Sequence, residues 1–228
     1  MHIQAGVGGY EVFARGLAIG PQTMVMHYDP TRPLHLRYQV DHQFLSPEVG
    51  NEIVTFGASI GAFFRWEFNS FEVIVRDGAC YPIDFANATP DMAIISLHYY
   101  FPWALAALAK WSLYCVVTGR AMRLDTQIAR WYQVADDPSI SWEEKLAAYR
   151  GLVDDYYEAD RFAEFCDTDL AHADACMAEY IASSQFDDHL VETIQQAFPP
   201  HEHEQFVAHY RGLLGAWVND QRAAAGQP

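Results

Sequence analysis

Apolar and polar residues alternate with a period of two in the first part of the chain, whereas apolar positions recur at helical spacing later on. Residues 10–28 predict a pair of strands. Residues 71–87 predict a hairpin, because two runs rich in β-branched and aromatic residues flank Asp77 and Gly78. A helix is predicted between these pairs, over residues 46–64. Its apolar residues recur at helical spacing, at Val49, Ile53, Phe56, Ile60 and Phe63.

Beyond Asp91 the pattern is helical for almost the whole remainder. Residues 101–118 are as apolar as a membrane span, but Lys110 in the middle of the run and the amphipathic flanks favour a helix buried in the protein. The chain is therefore predicted to be α+β, with an antiparallel sheet unit in residues 1–95 and a helical extension in residues 96–228. The further helices are expected over residues 120–135, 141–157, 160–184, 186–198 and 202–222.

Composition limits the classes of partner. The formal charge of −16 excludes a nucleic-acid backbone as the expected partner, because phosphate binding needs clustered lysine and arginine. The four cysteines form no CxxC pair, and no secretory signal precedes them, which predicts a reduced cytoplasmic setting without a membrane partner. With 228 residues and 51% hydrophobic content, the chain is long enough to bury a substantial core.

The register of the predicted hairpin decides where its acidic residues lie. A three-residue loop over residues 77–79 places Glu72 directly opposite Asp84. A two-residue loop shifts the register by one and sets Asp84 opposite Phe71, which puts a charge on an otherwise apolar face. We therefore predict the three-residue loop, with two neighbouring carboxylates that need a cation or a proton between them. Asn87 follows in the turn and offers a neutral oxygen of the kind that Mg²⁺ accepts.

The frame FExxxRDGxxYPIDFANxTPD resembles the metal-binding strands of the ATP-grasp superfamily, which includes the carboxylate-amine ligases. The resemblance implies that Glu72, Asp84 and Asn87 hold the magnesium ions that bridge the phosphates of ATP. One departure is the spacing of the last acid and the asparagine, which is two in the family and three here, and a bulge would absorb the extra residue. The strand pair upstream resembles the one that carries a basic residue toward the phosphates, and by position Arg15 takes that catalytic role.

The activity that the resemblance implies is ATP- and Mg²⁺-dependent ligation of a small-molecule carboxylate to an amine or similar nucleophile, through an acyl phosphate. Such enzymes grip the nucleotide between two lobes, and the earlier lobe supplies lysines on strands and a glycine-rich lid. The two lysines of this chain, Lys110 and Lys145, fall in helical stretches. We therefore expect the chain to be the second half of such a core: either it is a fragment or natural truncation, or another chain supplies the missing lobe. It is expected to act as an enzyme only with that lobe.

Two alternatives stay open at this point. One is a noncatalytic, truncated ATP-grasp-like module that acts by protein–protein association, for which a homo-oligomer is expected from exposed strand edges. The other is a metal-binding protein without ATP chemistry, whose affinity for a cation would not depend on nucleotide.

Overall fold

The computed structural model describes residues 6–226 as an α+β protein, as predicted. Its sheet has five antiparallel strands in the order β3-β2-β1-β4-β5, and helix α1 (Pro47–Phe64) connects β3 to β4. The strands are β1 (Val12–Ile19), β2 (Gln22–Tyr28), β3 (Tyr38–Gln39), β4 (Phe68–Arg76) and β5 (Ala79–Asn87).

The rest of the described chain is mainly helical. The helices are α2 (Ile94–Leu97), α3 (Phe101–Thr118), α4 (Ile128–Asp136), α5 (Trp142–Tyr157), α6 (Ala159–Thr168), α7 (Ala173–Ile181), α8 (Ser184–Ala197) and α9 (His203–Ala224). Short 3₁₀ turns occupy Leu34–Leu36, His98–Tyr100 and Pro200–Glu202.

The predicted helix over residues 46–64 is confirmed as α1, which packs against one face of the sheet. Ser46 caps it by accepting a hydrogen bond from the Val49 amide at 3.3 Å. The core beneath α1 combines Ile53 with side chains of β1 and β4, including Phe71 and Val73. The structure allows this close packing because Gly16 and Gly57 flank the Phe71 ring, and a Cβ at either position would overlap it.

The chain divides into two compact units. The first comprises the chain up to Pro90 together with Thr118–Ala163, and the second comprises Asp91–Val117 together with the chain from Glu164 onward. Helical residues therefore contribute to both units, and the first unit contains the sheet with α1, α4 and α5.

In the first unit, the segment after α3 departs from the prediction. A helix was expected from residue 120, but α4 begins only at Ile128. Gly119 takes a left-handed backbone with φ 63°, and Arg120 donates hydrogen bonds to the Glu67 carboxylate at 3.1 Å and to the Tyr156 carbonyl at 3.0 Å. These contacts hold the segment in a non-helical path, so the helix prediction for its first residues is wrong.

The next helix follows the sequence signal closely. Ser141 and Glu144 form the predicted capping box, in which the Glu144 amide donates to Ser141 Oγ at 3.2 Å and the Ser141 amide donates to the Glu144 carboxylate at 2.6 Å. The box fixes the start of α5 at Trp142.

The second unit is helical, and buried tyrosines join its helices. Tyr210 of α9 donates to the Ile95 carbonyl at 2.8 Å, and Tyr99 donates to the Asp220 carboxylate at 2.6 Å. One continuous helix was expected over residues 160–184, but the chain forms α6 and α7 with a turn between them. The prediction of a single helix there is wrong.

One side of helix α3 is buried, and the other is exposed to solvent. Trp111 and Tyr114 are buried, whereas Leu113 and Val116 are exposed to 46% and 79%. Within residues 6–226, Ile94–Thr118 is the stretch with the length and composition of a membrane-crossing helix, and 33% of its most apolar window is buried. The cytoplasmic location stays a prediction, and all four cysteines are free thiols.

Candidate functional site

The candidate site lies on the sheet face that carries Arg15 and Glu72, here called the second face. Arg15 of β1 lies directly opposite Glu72 of β4, and on its other side it pairs with Met26 of β2. Residues 12, 14, 16 and 18 of β1 alternate toward α1, which leaves Arg15 on the other side of the sheet. The register therefore brings a guanidinium and a carboxylate together from two neighbouring strands.

The hairpin itself differs from the prediction at its turn. Arg76 pairs with Ala79, so the loop contains only Asp77 and Gly78. Both residues take left-handed backbones, with φ 51° and 73°. This is the arrangement of a type I′ turn, whose twist matches that of the flanking strands. The predicted three-residue loop over residues 77–79 is therefore wrong.

The direct pairing of Glu72 with Asp84 is wrong for the same reason, because Glu72 lies opposite Ile83. A regular two-residue hairpin would set Asp84 opposite Phe71 in the core, and the structure avoids this with a bulge. Between the pairs Glu72–Ile83 and Ser70–Asn87, three residues of β5 (84–86) stand against one residue of β4. Asp84 has φ 41°, which bends the strand at that point.

Asn87 is held at the far side of this bulge. It lies opposite the buried Ser70, and its Nδ2 donates a hydrogen bond to Ser70 Oγ at 2.8 Å. The amide is thereby oriented by a neighbour that the sequence did not suggest. Its Oδ1 atom stays available as an acceptor, since the hydrogen bond uses the nitrogen.

Glu72 interacts electrostatically with two charged neighbours, Arg15 and Asp84. Burial raises the pKa of the Glu72 carboxyl above its ordinary value, the positive charge of Arg15 opposes this rise, and the negative charge of Asp84 adds to it. Asp84 is therefore close enough to Glu72 to repel it electrostatically, although the two residues are not cross-strand partners. Arg15 is the cation that offsets part of this repulsion.

Arg15 is held by aromatic rings. Its guanidinium carbon lies 5.6 Å from the centre of the Tyr28 ring and 6.0 Å from that of Tyr38. In the described part of the chain the guanidinium makes no hydrogen bond and no ion pair within 4 Å, so its donors can reach an anionic ligand. Tyr28 and Tyr38 were not among the predicted site residues, and only the strand register reveals their role.

Glu72 and Asp84 are the residues of this face that could hold a magnesium ion together with phosphate ligands. Among residues 6–226, no group of three or more histidine, cysteine, aspartate or glutamate side chains is arranged to hold a metal ion. Mg²⁺ in nucleotide enzymes is usually bound by only one or two carboxylates, with water and substrate phosphates completing the octahedron. Glu72 and Asp84 match that smaller requirement.

The structure thus places the four predicted site residues on three adjacent strands, Arg15 on β1, Glu72 on β4, and Asp84 and Asn87 on β5. It brings Arg15, Glu72 and Asp84 into electrostatic contact, and it turns the Asn87 amide nitrogen toward Ser70. No protein-family model, curated protein or solved structure matches this chain.

Proposed function

We propose that the second face of the sheet is the phosphate- and magnesium-binding half of an ATP-grasp-type ligase site, which joins a small-molecule carboxylate to an amine or similar nucleophile through an acyl phosphate. The observation that carries the proposal is the direct pairing of Arg15 with Glu72, with Asp84 near enough to perturb the same carboxyl. The Arg15 guanidinium makes no hydrogen bond within residues 6–226 and can bind phosphate oxygens, and the two neighbouring carboxylates can bind Mg²⁺. Together these groups suit a magnesium–polyphosphate.

Each residue has a distinct role in this proposal. Arg15 donates hydrogen bonds to the phosphate oxygens of ATP, held in place by Tyr28 and Tyr38. Glu72 and Asp84 supply carboxylate oxygens for Mg²⁺, and the Asn87 Oδ1 atom is a further neutral ligand. When bound, Mg²⁺ neutralises charge on the phosphates and on the phosphoryl group that is transferred to the substrate carboxylate. No nucleophile from the protein is required.

The contacts to the adenine and ribose are proposed to come from another lobe. The two lysines of the chain lie on α3 and α5, away from any strand, so the family's strand-borne lysines have no counterpart among the described strands. The chain by itself is therefore expected to bind ATP weakly and not to hydrolyse it. Catalysis requires the second lobe as a partner.

The test measures the water-proton relaxation enhancement of Mn²⁺–ATP as the chain is titrated in, with Mn²⁺ in place of Mg²⁺. Wild-type protein should raise the enhancement at millimolar concentrations. Asp84→Asn and Arg15→Gln should weaken binding by at least about tenfold, or ~1.4 kcal/mol. Asp77→Asn is the matched control, because it removes the same charge from the same hairpin at an exposed turn position that accepts asparagine.

Two results would count against the proposal. Equal binding of Mn²⁺–ATP by wild type and Asp84→Asn would show that the hairpin is not part of the metal site. Equal affinity for Mn²⁺ with and without ATP, lost in Asp84→Asn, would instead favour the metal-binding protein without ATP chemistry.

A noncatalytic module that acts by association is the second candidate, and exposed apolar side chains on α3 favour it. Val116 and Val117 are exposed to 79% and 67%. The sheet edge is a poorer contact than we expected, because β5 carries Pro82 and the bulge at Asp84, both of which hinder addition of another strand. Light scattering of wild type and Val116→Glu tests this candidate: a dimer that the variant dissociates would support it.

A further inference from the structure

A pocket separate from the second face opens in the first unit between α1, α4, α5 and β5. Its volume is about 330 Å³, within the range of small-molecule sites. The pocket therefore suits one compact organic molecule.

Aromatic rings from distant parts of the sequence form its walls. They include Phe63 of α1, Phe85 of β5, Trp131 of α4 and Tyr149 of α5. Trp131 meets Phe63 edge to face at 5.8 Å and stacks on Tyr149 at 5.7 Å, with an interplanar angle of 16°. Because these rings already support one another, they can receive a ligand without rearrangement.

The lining carries no charged side chain, and its surface is almost entirely apolar. Ser59, Tyr132 and Tyr149 contribute hydroxyl groups to the lining, and the Oγ atom of Ser59 is shielded from solvent. An anionic ligand would lose its hydration without gaining a partner, and the formal charge of −16 would repel it further. A cation would be attracted by the same negative charge and would gain ring contacts, but the apolar lining offers no counter-ion to offset its lost hydration.

We infer that this pocket binds a neutral aromatic small molecule. Edge and face contacts with the surrounding rings give an aromatic ligand an advantage over an aliphatic one of equal size. The binding role is independent of the proposed ligase site, because none of the lining residues belongs to it. Phe85 alone is adjacent in sequence to a proposed metal ligand.

The test uses the fluorescence of N-phenyl-1-naphthylamine, a neutral probe, with three competitors of similar shape. 2-Naphthylmethanol is neutral, 2-naphthoate is anionic, and 2-naphthylmethyl-trimethylammonium is cationic. The probe should bind in the micromolar range, and the neutral competitor should displace it at least tenfold more effectively than either ion. Equal or better displacement by the anion or the cation would overturn the assignment of ligand class.

Ala135→Phe tests the location, because Ala135 is an exposed α4 residue on the pocket wall and a larger side chain there fills the space. It should abolish probe binding, whereas Gln133→Phe, on the same helix but outside the pocket, should not. Intermolecular nuclear Overhauser effects between 2-naphthylmethanol and the methyl groups of Ile60 in wild-type protein provide a check that needs no variant. Probe binding that survives Ala135→Phe, or a bound ligand without contacts to Ile60, would refute the site.

Discussion

Arg15 and Glu72 are direct cross-strand partners, yet the pKa of Glu72 is raised, because burial and the charge of Asp84 outweigh the attraction of the guanidinium. The folded chain by itself therefore disfavours the ionised form of Glu72. Such an arrangement is common where a ligand completes the charge balance, and it makes the site accessible to stability measurements.

The pH dependence of stability should reveal this carboxyl. Because its pKa is raised, its contribution to stability is full below the pKa of the unfolded chain and is lost as the pH rises through the folded value. Glu72→Gln should therefore be more stable than wild type at pH 7, on the order of 0.5 kcal/mol for a half-buried, solvent-screened group. The difference should shrink toward pH 4. Urea titrations at both pH values provide the measurement, and a uniform loss of stability at both would contradict it.

Magnesium together with ATP should reverse that difference if the proposed site is correct. With a Kd of about 1 mM for Mg²⁺–ATP, 10 mM of the complex stabilises the fold by about 1.4 kcal/mol. Thermal unfolding should show a rise in Tm for wild type and little change for Glu72→Gln. Asp77→Asn serves as the control and should respond like wild type. An equal rise in all three proteins would indicate nonspecific screening of the negative charge.

Two glycine substitutions should change stability in opposite directions. Gly16→Ala adds a Cβ that overlaps the buried Phe71 ring, and overpacking of this kind costs about 1–3 kcal/mol. Gly212→Ala adds a Cβ in open space on α9, where alanine is the better helix former, so it should gain about 0.5–1 kcal/mol. Chemical denaturation of the two variants measures the contrast. A neutral Gly16→Ala would mean that the ring is free to move aside.

The buried Arg120 should be needed for the stability of the first unit. Its side chain is 3% exposed, and the Glu67 carboxylate that it contacts also accepts a hydrogen bond from Tyr156 at 2.7 Å. Arg120→Leu leaves this carboxylate without its cation and should cost about 3 kcal/mol. Arg161→Leu removes an exposed pair with Glu158 and should cost less than ~1 kcal/mol. Similar losses in both variants would contradict this ranking.

Thiol labelling should separate Cys80 from Cys176. Burial, together with the charge of Glu52, raises the pKa of Cys80 to about 12, whereas Cys176 is exposed. Since the thiolate is the reactive form, alkylation of Cys80 by iodoacetamide at pH 8 should be slower on the order of 100-fold. Peptide mass spectrometry over a time course gives both rates. Comparable rates would show that Cys80 is accessible and ionised in solution.

Local signals in the sequence were sufficient for much of the fold. The strand pair, α1 and the capping box at Ser141 follow from periodicity and end-residue chemistry, and the structure confirms them. The hairpin register failed because the prediction kept a period of two through Asp84 and expected a bulge only after it, whereas the chain departs from that period at Asp84 itself. The apolar pocket was not predicted, because its rings come from four elements and no short stretch of sequence brings them together.

Because of the bulge at Asp84, the number of residues between Asp77 and Asn87 matters for the structure as well as their identity. Its two ends are fixed independently, one by the tight turn at Asp77 and the other by the hydrogen bond of Asn87 with Ser70. Removing one residue between these anchors would displace Asp84 and Phe85 together, whereas substitutions alter them one at a time. Related proteins should therefore tolerate changes of side chain at positions 84–86 more readily than insertions or deletions there.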